Sequence, residues 1–327
     1  MLLPNSTTIH LDVTLADLYQ REGLRNLVYV PHYPSSCVDY GPSHPRNQKF
    51  YIDDDFPDSL PVDLSESQRQ SLAVKATTCE MDRFKFFLGN IDVMKICSKE
   101  CLPRPLNEDG PFGIPNRVDP SQIPKRVTNV FVDEANTDLY KTLEGLGRTI
   151  ILPFPQDWCA SLPHLVDPDL HYLFLSKTYL PRLPVDVPRQ EVFQLDETLL
   201  IDLEVKSAPF VVKTTHGLGN AGTWIVTTED ERRRMLNALQ KRHNTQSPSP
   251  IWSQKIIVTE FIAATHNYCV HFFVGHTGRS ALLGATEQAV DHRGALRRTI
   301  KFKKQKALKA MFDGITASLG QALAADG

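Results

Sequence analysis

A lysine, a glycine hexapeptide and a later glutamate are the residues whose types and spacing could do chemistry together. The hexapeptide Gly217-Leu218-Gly219-Asn220-Ala221-Gly222 begins four residues after Lys213. Glycines let backbone N–H groups approach an oxyanion with no Cβ in the way. A lysine supplies a compact positive charge, and on an apolar strand it is costly to bury without an anion. The alternative is a lysine whose stem lies along the strand while its ammonium reaches water. A GxGxxG spacing alone is weak, and its flanks decide the meaning. A dinucleotide fingerprint needs a strand before the glycines and a helix opening at them. Here residues 209–214 read as one strand and 223–227 as a second. The helix starts only afterwards, with Thr228 and Glu231 spaced as a capping box. The glycines therefore sit in a hairpin. In protein kinases the lysine follows such a hairpin, whereas Lys213 precedes it, and the HRD and DFG motifs are absent. Glu260 closes the apolar run Ile256-Ile257-Val258 and precedes Phe261 and Ile262. Its plain reading is a strand-end carboxylate, with those two residues in the core.

Taken in order, Lys213, the hexapeptide and Glu260-Phe261-Ile262-Ala263 resemble the central part of an ATP-grasp domain, over about residues 165–325. That family includes carboxylate–amine and carboxylate–thiol ligases and biotin-dependent carboxylases. The resemblance implies an α/β protein with an α+β ATP-grasp core, preceded by a Rossmann-like α/β pre-ATP-grasp domain. It implies that Lys213 contacts nucleotide phosphates, with Lys177 as the second, upstream lysine. His216, Gly217, Gly219, Asn220, Ala221, Gly222 and Thr223 would form the flap over the triphosphate. Glu260, Phe261, Ile262 and Ala263 would be the hinge that binds adenine through its backbone. Shortly after the hinge the family usually carries a carboxylate for the ribose; this sequence has His266 and Asn267, either of which can hydrogen-bond a hydroxyl.

The cofactors so implied are ATP and Mg2+. In the family the metal ligands lie on strands after the helix that here spans about 308–323, so they are expected beyond Gly327 and the metal site is unknown. Glu287 is the nearby acid, and Arg297 the second candidate catalytic group. The expectation is thus an incomplete ATP-grasp domain, either a piece of a longer ligase or a truncated chain with impaired catalysis. The implied reaction joins a small-molecule carboxylate to an amine, through an acyl phosphate formed at the γ-phosphate. The rival reading is a non-catalytic nucleotide-binding or interaction protein on the same fold. The missing metal strands favour it, and the intact lysine, flap and hinge disfavour it. An ATP-grasp sheet that stops one helix early would leave an edge open to self-association, with an uncovered apolar helix face along Leu308, Met311, Ile315 and Leu319.

The elements that must position these residues follow from punctuation. All but Pro248 and Pro250 of the 23 prolines lie at or before Pro209, while ten of the 17 glycines follow it, so a loop-rich part gives way to regular elements with glycine turns. In the first part, 26–31, 127–133 and 149–154 read as strands and 136–146 as a helix capped by Gly147. Strand, helix and strand at that spacing imply a parallel sheet. Residues 103–124 carry six prolines and read as irregular loop. The expected domains are 1–165 and 166–327, with a glycine-flap lobe at about 205–258. Downstream, 267–274 and 280–285 read as strands around a turn, with Glu287 and Gln288 ending the second.

At 41% apolar and 23% charged residues, the 327-residue chain can bury full cores. A net charge of −2 argues against a globally basic nucleic-acid binder. The basic run 293–309 holds eight lysines and arginines and no acid; it reads as a solvated face or an anion site through Arg297, Arg298 or Lys301, with too few aromatics to stack single-stranded nucleic acid. Asp53, Asp54, Asp55 and Asp58 read as a solvated acidic loop. No apolar run reaches membrane-spanning length and Met1-Leu2-Leu3-Pro4-Asn5 shows no basic or apolar signal pattern, so no secretory signal is expected, while six scattered cysteines suit a reducing compartment. A cytoplasmic protein is expected, with no membrane and no nucleic-acid partner.

Overall fold

In the computed structural model, residues 10–32, 47–53, 63–65, 67–69, 71–72, 87–97, 119–124, 126–131, 138–218, 221–244, 254–290, 296–301 and 305–327 are described. The chain divides into two units, one of Met1–Phe50 with Phe56–Tyr172 and the other of Tyr51–Asp55 with Leu173–Gly327. The first is built on a parallel sheet of β1 (Leu27–Tyr29), β2 (Asp92–Cys97), β3 (Val127–Phe131) and β4 (Thr149–Ile151), in the order β3-β2-β1-β4. Alternate residues of these strands enter different cores, because side chains leave a strand on opposite faces. Val28, Met94, Val130 and Ile150 pack with Leu139 and Leu143 of helix α2 (Leu139–Glu144). Leu27, Tyr29, Val93 and Ile151 pack on the other side, joined by Leu15 and Tyr19 of α1 (Leu15–Arg21). Helices on both faces of a parallel sheet make this unit α/β and Rossmann-like.

The structure adds a strand to the expected set. In β2 the buried Lys95 interrupts an otherwise apolar run, which hid the strand's character. Helix α2 is shorter than the sequence pattern. Gly145 is its cap, and Gly147 takes the left-handed conformation (φ 57°) while donating its N–H to Glu144 O. Most of the expected loop 103–124, and residues 132–137, lie outside the described residues.

After helix α3 (Pro168–Leu175), the second unit holds two antiparallel sheets. One runs β5-β8-β6-β7, from β5 (Gln190–Gln194), β6 (Phe210–Thr214), β7 (Thr223–Val226) and β8 (Lys255–Glu260). Phe210, Val212, Ile256 and Val258 form a core with Leu199, Leu200 and Leu203 of α4 (Glu197–Val205) and with Met235 and Leu239 of α5 (Glu229–Asn244). The predicted capping box starts α5: Thr228 Oγ1 accepts from Glu231 N at 3.3 Å, and Glu231 Oε2 accepts from Thr228 N at 3.0 Å. Hydrogen bonds from Thr227, then Thr228, hold the Glu231 carboxyl down at about 2.

The other sheet runs β11-β10-β9, from β9 (Tyr268–Val274), β10 (Ser280–Val290) and β11 (Leu296–Lys301). Helix α6 (Gln305–Ala325) packs on it, with the Phe312 ring edge-on to Tyr268 at 5.9 Å and Leu308 and Thr316 buried. Two expectations are corrected here. Strand β10 continues through Glu287 to Val290, and part of the basic run pairs with it as β11, because arginines masked the strand alternation of 296–301. The apolar stripe of α6 is split: Leu308 is buried and Leu319 half-buried, whereas Met311 and Ile315 are 59% and 44% exposed. No helix among the described residues is long and apolar enough to cross a membrane.

Candidate functional site

Strand β6 alternates between the helix-packed core and the opposite face. Phe210 and Val212 enter the core, so Val211 and Lys213 take the other side, across from Thr259 and Ile257 of β8. Burial pulls the Lys213 ammonium below the usual lysine range. On the same face, Thr259 is 4% exposed and its Oγ1 has no hydrogen-bond partner among the described residues. A buried hydroxyl without a partner is unusual in a protein interior, and this one stands beside the strand end where the hinge begins.

The turn between β6 and β7 is closed by Thr214 N donating to Gly222 O at 2.8 Å and Ala221 N to Leu218 O at 2.9 Å. Gly222 adopts φ 66°, a left-handed conformation that glycine takes without penalty. At Gly217 a Cβ would overlap the Ala221 carbonyl oxygen and stand 3.3 Å from Lys177 Nζ. The Lys177 ammonium thus lies against the root of the glycine loop. It donates to Thr214 O at 3.2 Å, and its backbone N–H donates to Thr215 O at 2.9 Å. Burial, chiefly, and the nearby Lys213 charge bring its pKa down to about 8, against the opposing pull of Asp53. The structure therefore brings together Lys177, Lys213, Gly217, Ala221, Gly222 and Thr223. His216 is buried, with Nδ1 3.0 Å from Thr215 Oγ1. Gly219 and Asn220 lie outside the described residues.

Where the hinge is expected, Glu260 ends β8 and its Oε1 accepts from Arg189 N at 2.9 Å. Ile262 is 56% exposed, and residues 261–263 continue past the strand. His266 and Glu287, given separate roles by the sequence, are bonded to each other: His266 Nδ1 lies 2.9 Å from Glu287 Oε1, and its ring stacks on Tyr268. Glu287 pairs in register with Tyr268, two residues along the strand from buried Ala285, which places it on the face that α6 packs against. Asn267 O accepts from Gln288 N at 2.7 Å. Arg297 falls at a bulge, skipped between the pairs Val290–Leu296 and Ala289–Arg298. Among the described residues no group of three or more His, Cys, Asp or Glu side chains could hold a metal ion.

One residue escaped the sequence reading. Asp53, expected in a solvated acidic loop, is 8% exposed and ion-paired to Arg242 at 2.7 Å. Its partner is 189 residues away, so no local spacing could announce it.

A lysine on the strand entering a glycine hairpin, a second lysine at the loop root and the end of the neighbouring strand β8, opposite Phe210, are arranged as the ATP-grasp resemblance implies. Residues 188–316, less than half of the chain, match the family model described as "L-aspartate--L-methionine ligase, ATP grasp". That segment carries Lys213, the glycine loop and Glu260. Among solved structures, the chain is similar to an L-amino acid ligase from Bacillus licheniformis at 13% identity and a TM-score of 0.45, covering 92% of this chain and 62% of that one. It is similar to the ADP complex of an N5-carboxyaminoimidazole synthetase from Staphylococcus aureus at 12% identity and a TM-score of 0.44, covering 96% and 65%. A phosphoribosylamine–glycine ligase from Thermotoga maritima matches at 12% identity and a TM-score of 0.44, covering 92% and 62%. The chain spans less than two thirds of the length of each. No curated protein matches it.

Proposed function

We propose that this protein binds ATP at the glycine hairpin of the second unit and uses it to join a carboxylate to an amine. The observation that carries the reading is the convergence of Lys177 and Lys213 at one glycine loop, both with ammonium groups destabilised by burial. Two half-buried like charges side by side are costly alone, and a polyphosphate offsets that cost. The residues present fit an adenine nucleotide. The cradle at Gly217 and Gly222 has no room for a Cβ, and Thr259 Oγ1 offers an unused polar atom next to the hinge. Lys177 and Lys213 would hold phosphate oxygens, the amides of the loop would line the triphosphate, and the 260–263 backbone would take the base. In such a reaction a carboxylate oxygen would attack the γ-phosphorus of ATP with ADP leaving, and an amine would then attack the carbonyl carbon of the acyl phosphate, expelling phosphate and losing a proton to give the amide. Mg2+ would neutralise charge in the phosphoryl step; no described residue is assigned to it.

Calorimetry with Mg-ATP tests the binding. Lys213→Ala is expected to weaken it about tenfold or more, the order of a lost charge-assisted hydrogen bond. Equal affinity in the two proteins would remove Lys213 from the site. For the reaction, the matched family description names aspartate and methionine, the first pair to assay. ADP release that requires a carboxylate and an amine together supports ligation.

A further inference from the structure

Asp53 lies in the short segment 51–53, which belongs to the second unit although it is remote from the rest of it in sequence. Its N–H donates to His216 O at 3.1 Å, and its carbonyl accepts from Leu218 N at 2.9 Å, forming a parallel bridge opposite Gly217. Its carboxylate is gripped by Arg242 of α5 through Nη1 at 2.7 Å and Nη2 at 3.3 Å. The Tyr51 hydroxyl donates to Oδ1 at 3.0 Å, and the Arg242 guanidinium lies over the Tyr51 ring at 5.7 Å. The Arg242 and Asp53 side chains are only 20% and 11% exposed. A two-pronged, largely buried pair of this kind fixes geometry, and removing one partner strands the other's charge.

We propose that Asp53 is a positioning residue for the candidate nucleotide site: clasped by Arg242, it fixes the root of the glycine loop at Gly217 and sets a carboxylate as the counter-charge to Lys177. The proposal rests on the reading of Lys177 as a phosphate-binding group. Two backbone bonds flank Gly217, the residue against which Lys177 Nζ lies, so the clasp sets where that ammonium meets the loop. The groups facing Lys177 are Asp53 from this segment, Lys213 and the Thr214 carbonyl from β6, and the loop itself with His216 next to Gly217. Burial and Lys213 act against the ammonium, and Asp53 is the charge that opposes them. Without it, the Lys177 pKa drops below its present value near 8 and the site loses a cation close to neutral pH.

The test compares wild type, Asp53→Asn and the charge swap Asp53→Arg with Arg242→Asp. Amide exchange at 216–218 without nucleotide reads the clasp, and competitive acetylation of the Lys177 amine against pH reads its titration. Calorimetry with Mg-ATP at pH 6.5 and 8 reads the consequence. In Asp53→Asn the Lys177 midpoint moves to lower pH, and ATP affinity falls at both pH values through the loosened loop root, but about tenfold further at pH 8 than at pH 6.5, where the amine is still charged. In the swap, loop protection returns while the midpoint stays low. An unchanged midpoint in Asp53→Asn, or an affinity loss equal at both pH values, overturns the proposal. If Asp53→Asn does not fold, the swap decides alone: a wild-type midpoint in it overturns the proposal, and a lowered one supports it. If wild type binds no ATP yet protection and midpoint still move, the nucleotide reading fails and the clasp stands.

Discussion

Gly222→Ala is expected to destabilise the β6–β7 hairpin by about 3 kcal/mol, from two separable causes. The first is conformational. Gly222 sits at φ 66°, where an L-residue costs roughly 1–2 kcal/mol. The second is steric. A Cβ there would overlap Thr214 Oγ1 and come within 2.9 Å of Thr214 Cγ2, and Thr214 is 1% exposed with little room to retreat. Overpacking of that kind costs about 1–3 kcal/mol. A double-mutant cycle separates the two. In a Thr214→Gly background the steric part disappears, and Gly222→Ala should cost only the conformational part. Amide exchange at Val211 and Val212 is the suitable measurement, because a chain of two units need not unfold in one transition. Equal costs in both backgrounds would mean that Thr214 does not bound the loop.

Local chemistry was legible in the sequence, and distant chemistry was not. The hairpin, the Thr228–Glu231 box and β8 were readable because apolar alternation, glycine turns and a capping pair are written within a few residues of each other. Lys95 concealed β2, since a charged residue in a buried strand breaks the pattern that periodicity relies on. Glu287 was placed at a strand end, but pairing with β11 carries β10 on to Val290. His266, just before β9, meets Glu287 of β10 across 21 residues of sequence, which spacing alone does not reveal. Asp53 was the clearest loss. Its neighbours in sequence are acidic, and only the tertiary fold supplies the arginine and the loop backbone that bury it. The elements that carry Lys213, the glycines and Glu260 could therefore be read from sequence, while the contacts of Asp53 with Arg242 and the loop backbone could not.

Lys177→Met is expected to lower Mg-ATP affinity about a hundredfold at pH 7, by removing a desolvated cation from the phosphates, and to raise the stability of the second unit. The two changes have one origin. Lys177 titrates at about 8 in the folded chain instead of 10.5, because the buried amine disfavours its charged form. Below pH 8 both the folded and unfolded chains hold the proton, and the folded chain bears the full cost of the buried charge, about 3 kcal/mol. Between about 8 and 10.5 the unfolded chain binds more protons than the folded one, so stability rises with pH across that window. Above it the cost is gone. Methionine keeps a stem of similar length without the charge, but it leaves Thr214 O without the bond at 3.2 Å, a loss of about 1 kcal/mol. The net gain at pH 7 is then roughly 2 kcal/mol, read by amide exchange in β6 and β8, and it should shrink steadily as the pH is raised towards 10.5. A lysine kept for structure would behave in the opposite way, with Lys177→Met less stable at pH 7 and its ATP affinity intact. That result would remove Lys177 from the site and leave its burial to be explained by packing alone.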